Sequence, residues 1–243
     1  MSENVWKSVE ELFCSMNQCG EYVILRNYEY FPESLTVSGH EDIDLLCKEP
    51  EKIAKAMRAT PVLGSQVHYT ICVENRVIPV DVRHIGDGYY DENWEIAMLE
   101  QRKAFKNLYY VLDDIDYFYS LAYHALLQKP NFSEEYSVRL RQLGRKLGQE
   151  DCNCREDYLG LIERFLRDHN YKVTNTEDSH VYLNFKNIPA DLIQRKIKWS
   201  IGRIWSCVES RLKSGFGYIK KMLLITLSRA KRKLLSIIKG TSR

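Results

Sequence analysis

The sequence predicts an α+β protein, with a small mixed β-sheet backed by helices, then a mainly helical region, then a basic amphipathic C-terminal helix. Three observations carry that reading. Short β-branched runs recur between residues 21 and 84, apolar residues after Trp94 repeat at helical spacing, and the charge balance changes sign near residue 195. The expected divisions are 1–95, 96–194 and 195–243. A chain of 243 residues with 44% hydrophobic and 28% charged side chains has enough apolar material to bury a core.

Val5, Trp6, Val9, Leu12, Phe13 and Met16 share one helical face, which predicts a helix over 4–17 that Gly20 ends. Glu21 to Arg26 reads as a first strand, and a loop containing Pro32 and Gly39 leads to a second around Asp42. Pro50 opens a helix through Met57. His68 to Val73 and Val77 to Arg83 read as a hairpin about Glu74-Asn75-Arg76. Residues 96–112 read as a mixed helical stretch, followed by an amphipathic helix from Ile115 that stops at Pro130. Further helices are expected over 133–147 and from Tyr158 to Leu166, with a late strand at Val181 to Phe185.

The last segment differs in kind. From Arg195 to Arg243 there are 14 Lys and Arg against the single acid Glu209, whereas residues 1–194 hold 21 Lys and Arg and 32 Asp and Glu. Ile219, Leu223, Leu227, Ala230, Leu234 and Ile238 form an apolar stripe with basic residues mostly off it, so residues 217–239 can lie on an anionic membrane surface. The plain alternative is a helix packed on its own domain, and nucleic-acid binding ranks third. Seven cysteines, an odd number without a Cys-x-x-Cys framework, suit reduced thiols in a cytosolic protein. Cys152-Asn-Cys154 is too closely spaced for a zinc knuckle. Glu10, Glu11 and Asn17 interrupt any secretory signal, and no run approaches a membrane span. The expected location is therefore cytoplasmic, with peripheral attachment at the inner face of the membrane through the tail.

The chemistry lies in Gly39-His40-Glu41-Asp42-Ile43-Asp44-Leu45-Leu46. Alternation along a strand sends Asp42 and Asp44 to one face while Ile43 and Leu45 anchor the other. Two carboxylates so close repel and gain from a shared hard cation, of which Mg2+ is the natural candidate. Asp81, between Val80 and Val82 on another expected strand, supplies a third carboxylate. An acid in mid-strand needs a partner, a hydrogen bond or a metal to offset its burial.

Gly39-x-x-Asp42-x-Asp44 followed by apolar-Asp81-apolar resembles the nucleotidyltransferase superfamily that includes DNA polymerase beta. The resemblance covers about the first 95 residues. It implies a catalytic domain there, with Asp42, Asp44 and Asp81 as catalytic residues and as ligands of a two-metal Mg2+ site. The donor would be a nucleoside triphosphate or a nucleotide-linked compound, and the chemistry in-line attack on phosphorus. The family's Gly-Ser phosphate cradle is absent. Leu25-Arg26-Asn27-Tyr28-Glu29 stands before the pair instead, so Arg26, Asn27, Gly39 and Arg83 are the candidate nucleotide-binding residues. Such stretches look like divergent bacterial nucleotidyltransferase-like proteins, some associated with surface-polysaccharide synthesis.

Rival functions are an Asp-x-Asp glycosyltransferase, a CDP-linked phosphotransferase, and a degenerate nucleotidyltransferase fold that binds without turnover. Other polar residues have plainer readings. Arg83 shares a face with Asp81 and suits a salt bridge as well as a phosphate contact. His40 and His84 read as surface or capping residues, and His124 as a satisfied core histidine. Asp113, Asp114 and Asp116 suit a helix N-terminus.

Overall fold

The computed structural model describes residues 5–33, 42–149, 152, 154–174, 176, 178 and 180–194. The expected basic helix over 195–243 and the candidates Gly39 and His40 lie outside the described residues. The architecture is α+β, with an eight-stranded mixed sheet and six α-helices among the described residues. None of those helices is long and apolar enough to cross a membrane.

The strands are β1 (Val5–Trp6), β2 (Tyr22–Arg26), β3 (Ile43–Cys47), β4 (Thr60–Pro61), β5 (His68–Val73), β6 (Arg76–His84), β7 (Lys103–Phe105) and β8 (Tyr109–Val111). The helices are α1 (Val9–Asn17), α2 (Pro50–Ala56), α3 (Glu92–Glu100), α4 (Asp114–Leu127), α5 (Glu134–Lys146) and α6 (Arg155–Asp168). The sheet order is β1-β5-β6-β3-β2-β8-β7, with β4 also pairing β5. Every residue of β2 and β3 is buried, so these strands are covered on both faces, as apolar runs without alternation require. Here α3 packs on β2 and β3 and α4 on β2, while α1 and α2 pack together and reach β8 and β6.

Local chemistry sets the ends of the elements. Ser8 accepts from the Glu11 N–H and starts α1. Pro50 occupies the first turn of α2. Asp91, Asp113 and Ser133 cap α3, α4 and α5 through hydrogen bonds to Asn93, Asp116 and Tyr136. The turn of the β5–β6 hairpin is Glu74–Asn75, both at positive φ, as a two-residue turn between twisted strands demands.

Three expectations about the elements need correction. The first helix begins at Val9, because Val5 and Trp6 pair with Cys72 and Val73 of β5 and the Trp6 indole donates to the Met57 carbonyl. The stretch 96–112 is not helical throughout. It ends α3 and then forms the β7–β8 hairpin, whose Lys106–Asn107 turn is at positive φ and whose second strand pairs with β2 at Ile24–Val111. The sheet therefore continues past residue 95. Val181 to Asn184 is irregular and leads into a 3-10 turn at Phe185–Asn187, with the Asn184 N–H bonded to the Leu127 carbonyl of α4.

The core is rich in aromatics. Phe13 lies 4.7 Å from Tyr109 between ring centroids, and Trp94 packs against Tyr90, Tyr123 and Phe165. Asp116 accepts the Trp94 indole N–H at 2.8 Å. Glu95, fully buried, ties the loop after β6 to α3 by accepting the N–H groups of Gly86 at 2.7 Å and Tyr90 at 3.0 Å. Burial and the neighbouring Asp87 push its carboxyl up to about 8, against those two hydrogen bonds. A folded-state pKa above the unfolded one gives a contribution that is full below about pH 4.5 and lost as pH rises through 8. Wild type should accordingly lose stability relative to Glu95→Gln between about pH 5 and pH 9, on the order of a few kcal/mol. Thermal melts of both proteins across that range test this, and parallel curves would refute it.

Candidate functional site

Strand register assembles the site. Arg26 is paired with Asp44, Asp44 with Asp81, and Asp81 with His68, so one transverse row across β2, β3, β6 and β5 reads Arg, Asp, Asp, His. Residues in such a row share a face of the sheet. A register shift between Ile24 and Arg26 sets Arg26 opposite Asp44, and Asn27 then turns the chain away at φ 61, a conformation asparagine tolerates. Asp42, two residues before Asp44, lines the same cleft of about 160 Å³.

The row alternates in charge at its ends and clashes at its centre. Arg26 Nε lies 2.7 Å from Asp44 Oδ2, and its Nη2 donates to the Tyr89 hydroxyl at 2.8 Å. Burial opposes the Arg26 charge, but Asp44 and Tyr89 hold its pKa well above the usual value. Burial pushes Asp44 up, with Arg26 opposing and Asp42 and Asp81 adding to the rise. His68 Nδ1 meets Asp81 Oδ1 at 2.5 Å. Arg83 Nη2 lies 3.3 Å from Asp81 Oδ2 and 2.7 Å from Asp178 Oδ2. Burial raises the Asp81 carboxyl, yet His68 and Arg83 outweigh it and leave the pKa below the usual value. Asp178 and then Asp81 raise His68 to about 9, so its imidazole carries charge at neutral pH.

Tyr89 joins the sheet to the helices. Its ring lies under the Arg83 guanidinium at 4.4 Å and its hydroxyl sits 3.1 Å from His124 Nδ1. Gln128 completes the link, donating to the Tyr89 carbonyl at 2.9 Å. Burial, Arg26 and Lys129 push His124 well below the usual histidine value, so it is neutral. Lys129 also lines the cleft and forms no hydrogen bond or ion pair with a described residue. Arg139 of α5 enters the cleft with Nη1 bonded to Asn27 Oδ1 at 2.9 Å and Nη2 to the Tyr117 hydroxyl at 2.7 Å.

Asp42, Asp44, Asp81, Arg26, Asn27 and Arg83 thus come together. Arg26 and Asn27, expected to supply phosphate contacts, have polar groups engaged by Asp44, Tyr89 and Arg139. His68, Tyr89, Gln128, Lys129, Arg139 and Asp178 were not singled out from the sequence. A readable signal existed for His68, since a Glu74–Asn75 turn fixes the register that sets it opposite Asp81.

The donor set admits one hard cation. Asp42 Oδ1 is buried and has no hydrogen-bond partner, which fits a metal ligand, and Asp44 lines the same cleft two residues on. Both Asp81 oxygens are engaged by His68 and Arg83, so a second ion there needs one of them to move. Among the described residues, His68, Asp178 and His180 have ligand atoms within 4.8 Å of one another. The fixed charge of Arg83 at 2.7 Å from Asp178 favours an ion-pair network at that point over a cation.

Comparison with protein-family models, characterised proteins and solved structures gave no match, so the site is read from its own geometry. Arg26→Met should cost about 3–5 kcal/mol in urea unfolding, because it leaves Asp44 buried and unpaired, and Arg26→Met with Asp44→Leu should recover part of it. Equal stability of the single variant and wild type would show that the pair is not structural.

Proposed function

We propose that the chain is a Mg2+-dependent nucleotidyl or phosphoryl transferase, moving a phosphorus group from a nucleotide donor to a hydroxyl acceptor. The observation that carries this reading is the adjacent placement of Asp44 and Asp81 on parallel strands, with the unpartnered Asp42 oxygen in the same cleft. Carboxylates on neighbouring strands beside lysine and arginine side chains suit a triphosphate and a divalent ion better than any neutral substrate.

Each residue has a role in this reading. Asp42 and Asp44 would hold Mg2+, which when bound neutralises phosphate charge and polarises the phosphorus–oxygen bonds. Lys129, which pairs with no described residue, is placed to contact phosphate, and Arg139 can do so from α5. Asp81, bonded to a charged His68 and to Arg83, would act in this reading by holding that pair of cations in place beside the reacting groups. Tyr89 and Arg26 keep the row rigid, so positioning costs little on binding.

A second reading has one specific observation behind it. Asp44 and Asp81 are already neutralised by Arg26, Arg83 and His68, as in a nucleotide-binding module without turnover. Isothermal titration with ATP, CTP, GTP and UTP, with and without Mg2+, followed by assays for pyrophosphate and for nucleoside diphosphate release in the presence of hydroxyl acceptors, separates the two. Transfer predicts Mg2+-dependent binding together with nucleotide turnover that Asp42→Asn lowers at least about 100-fold, while Lys129→Ala weakens nucleotide binding about tenfold. Binding without any turnover supports the module, and unaltered binding and turnover in both variants would sink the cleft as the site.

A further inference from the structure

We propose that Arg83 and His68 form an oxyanion subsite for a phosphate of the donor, which the Asp178 carboxylate fills until that phosphate displaces it, an inference that rests on the transfer reading above. Asp178 Oδ2 lies 2.7 Å from Arg83 Nη2 and 3.3 Å from His68 Nε2, so two side chains of the sheet converge on one carboxylate oxygen. All three residues line the cleft that holds Asp42, Asp44 and Asp81.

Space and charge both disfavour a donor while that carboxylate is in place. The cleft, about 160 Å³, falls below the roughly 300–1,000 Å³ of small-molecule sites, whereas a neighbouring pocket has about 570 Å³. Asp178 and His180 are the described residues that line both, so the carboxylate stands at their boundary. The described lining of the cleft has as many aspartates as lysines and arginines, which leaves no excess of fixed positive charge to receive a phosphate. Three of those aspartates lie on or beside β3 and β6, and Asp178 alone comes from the irregular chain after α6. Its departure tips the balance toward an anion and opens the cleft toward the pocket.

The contacts select a phosphate. Asp178 Oδ1 accepts the His180 N–H at 2.9 Å, so Oδ2 alone faces both Arg83 and His68. It hydrogen-bonds Arg83, while His68 Nε2 is buried without a hydrogen-bond partner. A terminal phosphate carries three acceptor oxygens and can give one to each side chain, which a carboxylate held by its own chain cannot. The burial of Nε2 does not seal the subsite, because the oxygen 3.3 Å in front of it belongs to the group that leaves. A cationic ligand is repelled by the Arg83 guanidinium, and a neutral one brings no charge with which to replace a carboxylate beside it.

Isothermal titration of the full chain with inorganic pyrophosphate and with Mg2+-ATP tests the assignment in wild type, Asp178→Asn and Glu92→Gln. Asp178→Asn removes the internal competitor and should bind both probes at least about tenfold more tightly, since no binding energy then goes into displacing the carboxylate. Glu92→Gln makes the same change of charge at an exposed position on the wall of the neighbouring pocket and should stay within about twofold of wild type. Arg83→Met in the Asp178→Asn background should remove the gain. In wild type, whatever the variants do to folding, either probe should shift the His180 amide in NMR spectra, because its acceptor is the displaced carboxylate. No gain in Asp178→Asn, an equal gain in Glu92→Gln, or a His180 amide that neither probe moves would overturn the displacement. Tighter binding of acetate than of phosphate by Asp178→Asn would overturn the ligand class. Nucleotide turnover alongside any of those results leaves the transfer reading intact, whereas a gain for pyrophosphate in a protein that binds no nucleotide keeps the subsite and removes that reading.

Discussion

One row of side chains across four strands constrains much of this molecule. Two carboxylates, the buried Asp44 and the partly buried Asp81, sit side by side, and a positive side chain stands beyond each of them, Arg26 on β2 and His68 on β5. Separated from their partners, these carboxylates would be costly to bury. Because side chains alternate between faces, a slip of one residue in any of three strand pairings would send a member of the row to the other side. Register, charge balance and site geometry are therefore one constraint. The covered, irregularity-bearing β2 and the two-residue turn at Glu74–Asn75 are the local devices that hold it.

The helices extend that row into a three-dimensional cleft. Glu95 on α3 fixes the loop that carries Asp87 and Tyr89, and Tyr89 in turn touches Arg26, Arg83 and His124. The neutral imidazole of His124 suits this arrangement, since a third cation beside two guanidiniums would add repulsion. Lys129 follows the end of α4 and lines the cleft, so α4 supplies the back wall and the residue just beyond it brings an amine whose pKa burial lowers.

Much of this fold was legible in the sequence because its signals are local. Pro50, Ser133 and the acids before α4 mark element ends through their own hydrogen-bonding and backbone chemistry, and the β5–β6 hairpin announces itself in its alternation. The short strands were not legible. Val5–Trp6 and Tyr109–Val111 are strands because a partner strand is there, and Trp6 looks like part of a helical face until Met57 and Cys72 are placed beside it. The three carboxylates could be nominated, since an acid among valines asks for a reason. Their neutralisation could not be nominated so readily. The pairing of β3 with β6 spans a helix and two further strands, and Asp178 comes from a segment without regular structure.

Asp178 also bears on the order in which the molecule comes into being. It meets Arg83 across 95 residues of chain, after the eight strands and six α-helices of the described residues. A chain emerging from the ribosome N-terminus first can pair β3 with β6 long before that carboxylate exists, leaving Arg83 with Asp81 as its acidic neighbour in the row. The cleft is thus charged differently during synthesis than after it. Completion of the site is a late event, reserved for a chain that has been made at least as far as Asp178.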